Sequence, residues 1–175
     1  MTHSFLVLTV IGPDRPGLVE ALSETVAGQG GSWLESRMAH LAGHFAGLLR
    51  VSVPEANREA LLADLARLDA RGLRVMSAAV AGAVDAPDAA HLRLDVVGQD
   101  RPGIVREISR ALAEQGLNVE ELESHTSSAP MSGEALFHLS AQLRPPVSLD
   151  ADALRAALEK LADELMVDFK LDPAD

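Results

Sequence analysis

Gly12-Pro13-Asp14-Arg15-Pro16-Gly17-Leu18-Val19 returns 86 residues later as Gly98-Gln99-Asp100-Arg101-Pro102-Gly103-Ile104-Val105. Each copy follows an apolar strand-like run and opens a run with helical spacing. The chain has 175 residues, so the offset is about half its length. A repeat that long marks a duplicated domain and not a solenoid of short units. The motif also sets a tight turn and a helix start at the same place in both halves. A helix start with free backbone amides suits a small anion or zwitterion.

Working outward, Phe5–Ile11 is apolar on both faces, as a central strand would be, and Gly12 and Pro13 end it. From Pro16 onward Leu18, Val19, Leu22 and Val26 fall on one helical stripe, stopped by Gly28, Gly30 and Gly31. Trp33–Leu41 and Phe45–Val53 read as a hairpin about Gly43. After Pro54, the residues Leu61, Leu62, Leu65 and Leu68 mark a second helix within Glu55–Arg71. Gly72 stops it, and Leu73–Val80 is the last strand. The second half repeats the order. It has a strand Leu92–Val97, a helix from Pro102 carrying Ile104, Val105, Ile108 and Leu112, and a hairpin of Val119–His125 and Ala135–Leu143. A helix marked by Leu154, Leu158, Leu161 and Leu165 follows, then Met166–Leu171 as the closing strand. The expected fold is therefore α+β, two βαββαβ units in tandem. Each closes as a ferredoxin-like antiparallel sheet of four strands with two helices on one face. The expected boundaries are 1–84 and 90–175, joined through the small-residue stretch Ala83–Ala90.

Charge and composition exclude several functions. The net charge is −11 and is uneven, about −2 over residues 1–86 and −9 over 87–175. An acidic half repels phosphate backbones, and 3% aromatic content with no Tyr leaves little to stack on bases. Direct nucleic-acid binding is not expected. The absence of Cys excludes disulfides, thiolate metal sites and a cysteine nucleophile. Phe5–Ile11 lacks a basic flank and is too short to span a bilayer. A cytoplasmic protein without membrane attachment or cofactor is expected.

In the repeated loop, Pro16 and Pro102 fix φ where a first helical turn needs no N–H. Gly17 and Gly103 let a ligand approach the backbone, and the amides behind them can take a carboxylate. Asp14 and Asp100 either pair with an ammonium group or cap their helices. Arg15 and Arg101 are either ligand contacts, bridges across an interface, or solvent-facing. A free amino acid carries both charges at short range and is the natural ligand. Elsewhere the signals are weak. His40 and His44 flank a turn with no third metal ligand. His125 precedes the polar loop Thr126–Gly133, which the first half lacks. Ser, His and Asp occur without a nucleophile elbow, so a small enzyme is disfavoured. A dimerisation module with vestigial loops remains an alternative.

On these residues, Gly-x-Asp-Arg-Pro-Gly-(Leu/Ile)-Val after the first strand and Gly116-Leu117-Asn118-Val119 before the second, the chain resembles a tandem pair of ACT domains, small regulatory modules that bind amino acids. Two such domains with no catalytic domain resemble the glycine cleavage system transcriptional repressor family. The resemblance implies a non-enzymatic regulator that senses an amino acid, glycine among the candidates, and acts by contact with a protein such as a transcriptional activator. A free-standing regulatory subunit of an amino-acid metabolic enzyme is the alternative. The binding set is expected to be Asp14, Arg15, Pro16, Gly17 and Leu18 in the first half. In the second it is Asp100, Arg101, Pro102, Gly103, Ile104 and, by the resemblance, Asn118. The first half departs from the pattern with Gly31-Ser32-Trp33, and Trp33 is expected in a core or interface. Exposed edge strands lead to the further expectation that the units pair within the chain and that two chains form a homodimer.

Overall fold

A computed structural model describes residues 2–80, 91–129 and 133–174, in two compact units. The expected linker Ala83–Ala90 and the loop residues Pro130–Ser132 lie outside the described residues.

The first unit runs β1 His3–Pro13, α1 Leu18–Gly28, β2 Ser32–Leu41, β3 His44–Pro54, α2 Arg58–Arg67 and β4 Arg74–Val80. Its sheet order is β2-β3-β1-β4, every neighbouring pair antiparallel. The second unit runs β5 His91–Gln99, α3 Ile104–Glu114, β6 Asn118–Ser128, β7 Ala135–Arg144, α4 Ala151–Leu165 and β8 Val167–Ala174, with the order β6-β7-β5-β8. Both are the βαββαβ arrangement that the hydrophobic periods imply.

Period-2 alternation decides which face of each sheet meets the helices. In β1, Leu6, Leu8 and Val10 are buried with Leu18, Leu22 and Val26 of α1 and Leu61 and Leu65 of α2. In the second unit Leu94 and Val96 pack with Ile104, Ile108 and Leu112 of α3 and Leu154, Leu158 and Leu165 of α4. Trp33 is half-buried against the first core, as expected of a packing residue.

The opposite sheet faces differ in chemistry. In the first unit Val7 neighbours Arg50 and Ala78, and Thr9 neighbours Leu48 and Met76. Leu48 and Met76 are exposed. In the second unit this face carries Arg93 with Asp95, Nε to Oδ2 at 3.1 Å, and Lys170 with Asp172, Nζ to Oδ2 at 2.5 Å.

Three local details depart from the sequence reading. The single helix expected over Glu55–Arg71 is divided: a 3₁₀ turn Glu55–Asn57, then α2, then a 3₁₀ turn Leu68–Arg71. Asn57, where a cap would sit, donates from Nδ2 to Gln29 O at 3.0 Å instead of capping α2. At the other end Gly72 takes φ +77° and Leu73 N reaches Leu68 O at 3.0 Å, the left-handed closure that glycine favours. Met166, assigned to the last strand, is the left-handed residue that ends α4, with φ +52°. Both second strands also carry a bulge, at Leu34 and at Glu120, one repeat apart. At the second bulge Glu120 lies between His91, Nε2 to Oε2 at 2.9 Å, and Arg144, Nε to Oε1 at 3.2 Å.

Candidate functional site

The repeated loop has one conformation in both units. Gly17 has φ 89° and ψ 2°, and Gly103 has φ 90° and ψ −2°. These are the angles of the third residue in a type II turn, a position that demands glycine, with proline favoured just before it. In the second unit the turn is closed by Ile104 N donating to Arg101 O at 3.3 Å. The glycine carbonyls then start the helices, accepting from Ala21 N at 2.9 Å and Glu107 N at 3.0 Å. Pro16 and Pro102 therefore stand before the N-cap and not in the first helical turn, because the turn uses them as its corner. A Cβ on Gly103 would meet no described atom within 4 Å, so the demand for glycine is conformational while the space above it is open.

The N-cap residues are these glycines, and neither helix has a side-chain cap. Asp14 and Asp100 do not cap. Their amides continue the strand ladder, Asp14 N to Gly43 O at 2.9 Å and Asp100 N to Ala135 O at 2.8 Å. A capped helix looks different: in α4, Asp150 Oδ1 accepts from Asp152 N at 3.1 Å and Ala153 N at 3.0 Å. No side chain therefore takes the first-turn amides of α1 and α3; apart from Ile104 N, which closes the turn, they are the donors of an anion-accepting helix start.

In the first unit Arg15, Pro16, Gly17 and Leu18 line a cavity of about 310 Å³. Ala21, Leu68, Arg71 and Leu73 complete its wall. Asp14 is not part of that wall; its Oδ2 lies 3.6 Å from His40 Nε2, both groups about half-exposed. His44 points its Nδ1 to Ala42 O at 3.3 Å, so the two histidines serve separate local contacts.

In the second unit Arg101 Nη2 donates to Glu107 Oε2 at 2.6 Å. Arg101 Nε is buried without a partner among the described residues. Ile104 is buried in the core at 3% exposure. Asn118 pairs with Arg144 at one end of β7, whereas the Asp100 loop joins the other end, beyond Gln99 and Leu136. Eight residues of β7 separate these positions, roughly 26 Å at about 3.3 Å per residue. Within its own unit, Asn118 is not brought to the loop. His125 stacks on His138, ring centroids 4.6 Å apart, and Ser127 Oγ meets His138 Nε2 at 2.8 Å. No group of three metal-ligating side chains occurs among the described residues.

Sequence reasoning passed over Ala21, in the first turn of α1, and Arg71, Leu68 and Leu73, which come to the loop only when the α2 segment packs beside α1. It also passed over Glu107. Laying the halves on each other at the offset of 86 would have found that contrast, since Glu107 then falls on Ala21.

Two antiparallel βαββαβ units, each with a glycine-cornered loop feeding an uncapped first helix, make one domain in duplicate. The chain belongs to the ACT-domain proteins: ACT domain models match residues 4–76 and 92–163. It is a tandem ACT regulatory protein related to the glycine cleavage system transcriptional repressors. It is 28% identical to the glycine cleavage system transcriptional repressor of Escherichia coli (strain K12), over 94% of this chain and 87% of that protein. A crystal structure of an unknown protein from Galdieria sulphuraria is 30% identical and superposes with a TM-score of 0.82, covering 99% of this chain and 100% of that one. Another crystal structure, provisionally described as a glycine cleavage system transcriptional repressor, shares the fold at 21% identity, with a TM-score of 0.76 over 100% of this chain and 99% of that one. No helix among the described residues is long and apolar enough to cross a membrane.

Proposed function

We propose that this chain senses a free amino acid at its Asp-Arg-Pro-Gly loops and passes that state to a protein partner, as a repressor-type regulator of amino-acid metabolism. The observation that supports this most is the uncapped helix start behind Gly17 and Gly103, with Asp14 and Asp100 released from capping. A carboxylate meets free amides there, and an ammonium meets an aspartate. Glycine is the candidate that the name of the Escherichia coli relative suggests. The partner is a protein, a transcriptional activator in this reading, because the second unit's −9 charge disfavours DNA. The ligand acts by favouring one arrangement of the chain over another. The sites, the domain limits near residues 84 and 90, and a homodimer of two chains belong to the same proposal.

A thermal-shift screen of the twenty amino acids tests it. At one hundred times its dissociation constant a ligand stabilises the folded state by about 2.7 kcal/mol. A raised midpoint with at least one amino acid is expected, and no change with any would overturn the proposal. Sedimentation equilibrium tests the dimer, against a chain mass of 18.5 kDa.

A further inference from the structure

The two motif loops are not chemically equivalent. Arg101 is neutralised by Glu107 at 2.6 Å. One repeat earlier, the position of Glu107 is held by Ala21, whose small side chain leaves Arg15 unpaired and helps line the first unit's cavity. Arg71 enters the same cavity from the end of the α2 segment. Neither Arg15 nor Arg71 makes an ion pair among the described residues. Glu20 has its Oε2 3.8 Å from where a Gly17 Cβ would stand, and Asp14 lies beside His40; neither forms an ion pair with Arg15 or Arg71 among the described residues. Two guanidinium groups that share one concavity without a counter-charge repel each other, and a bound carboxylate relieves that repulsion through charge-assisted hydrogen bonds. The floor between them is apolar, with Leu18 at 6%, Leu68 at 4% and Leu73 at 1% exposure. That surface suits a short methylene stem. At about 310 Å³ the cavity sits at the small end of the roughly 300–1,000 Å³ range of ligand pockets.

We propose that the first unit's cavity takes the side-chain carboxylate of an acidic amino acid between Arg15 and Arg71, and that Glu107 keeps the second unit's loop from doing the same. This rests on the amino-acid-sensing reading above, but for the first unit's cavity it puts an acidic amino acid in place of glycine. The chain then holds one acidic ligand, and in the other copy of the loop the arginine charge is already neutralised by Glu107.

Isothermal titration calorimetry of the full chain with L-glutamate, L-aspartate, L-glutamine and glycine tests this. The expected result is one acidic amino acid per chain, bound at least tenfold more tightly than L-glutamine or glycine. Arg71→Ala, a change at an exposed residue, is expected to weaken that binding at least tenfold. Ala21→Glu copies the second unit into the first and is expected to abolish it, with circular dichroism confirming the fold. L-glutamine binding as well as L-glutamate, two acidic ligands per chain, or affinity unchanged in Arg71→Ala would each overturn the inference. Tight binding of a neutral amino acid would do so while leaving the sensing role intact. No binding of any amino acid would remove both.

Discussion

Gly12 lies against the backbone of Gly72: a Cβ built on Gly12 would stand 2.4 Å from the Gly72 carbonyl oxygen. The corresponding glycine of the second unit, Gly98, would place its Cβ 2.3 Å from Cγ1 of Val167. In both units the central strand therefore approaches the start of the last strand too closely for any side chain, at the point where the motif begins. The first glycine of the motif serves packing and the last serves the turn. Gly12→Ala must displace backbone, while Gly98→Ala presses on one valine. Both substitutions are expected to destabilise, by about 1–3 kcal/mol, Gly12→Ala the more. Urea unfolding of each variant checks the order.

Of Asp14, Asp100 and Asp150, only Asp150 caps a helix. Asp150→Ala removes two hydrogen bonds to the start of α4 and should cost about 1 kcal/mol. Asp14→Ala and Asp100→Ala remove no cap and should cost less than half of that. Equal losses in thermal unfolding for all three would contradict the assigned geometry.

Met166 ends α4 with φ +52° and is 75% exposed, where the first unit has Gly72 at φ +77°. A side chain in this region carries about 1–2 kcal/mol of strain, partly offset by the greater freedom glycine has when unfolded. Met166→Gly is expected to raise stability by about 0.5–1 kcal/mol, read as a higher denaturant midpoint with an unchanged slope.

Hydrogen bonds from Ser140 and then from Arg93 hold the Asp95 carboxyl below the usual carboxylate range. The folded form thus binds a proton less readily than the unfolded chain does. The stabilisation is present above the unfolded value, about 3.9, and is lost as pH falls through the lower folded value. Asp95→Asn should flatten the acid side of the stability curve below about pH 4 and leave its shape at neutral pH unchanged. Acid titration followed by circular dichroism separates the two profiles.

The fold was legible because the sequence states it twice. Leu6, Leu8 and Val10 alternate, Leu18, Leu22 and Val26 recur at helical spacing, and glycines stand at the ends. The motif loops were legible as turns for the same reason. What the sequence did not show depends on partners distant in the chain or on a backbone angle. Asn57 is held by Gln29 O, 28 residues away, and Met166 has no glycine to announce its left-handed turn. Arg71 reaches the Arg15 loop only because α2 lies beside α1. Asn118 is near the helix in sequence but at the far end of the sheet in space, since α3 runs back along β5 before β6 begins.

The most direct test of amino-acid sensing at these loops is a ¹⁵N–¹H correlation spectrum of the full chain, titrated with each of the twenty amino acids. At least one is expected to shift the amides of Gly17 and Leu18, or of Gly103 and Ile104, saturably and ahead of the rest of the spectrum. Spectra in which these amides stay fixed for all twenty, or in which a bound amino acid moves only residues remote from both turns, would contradict the account.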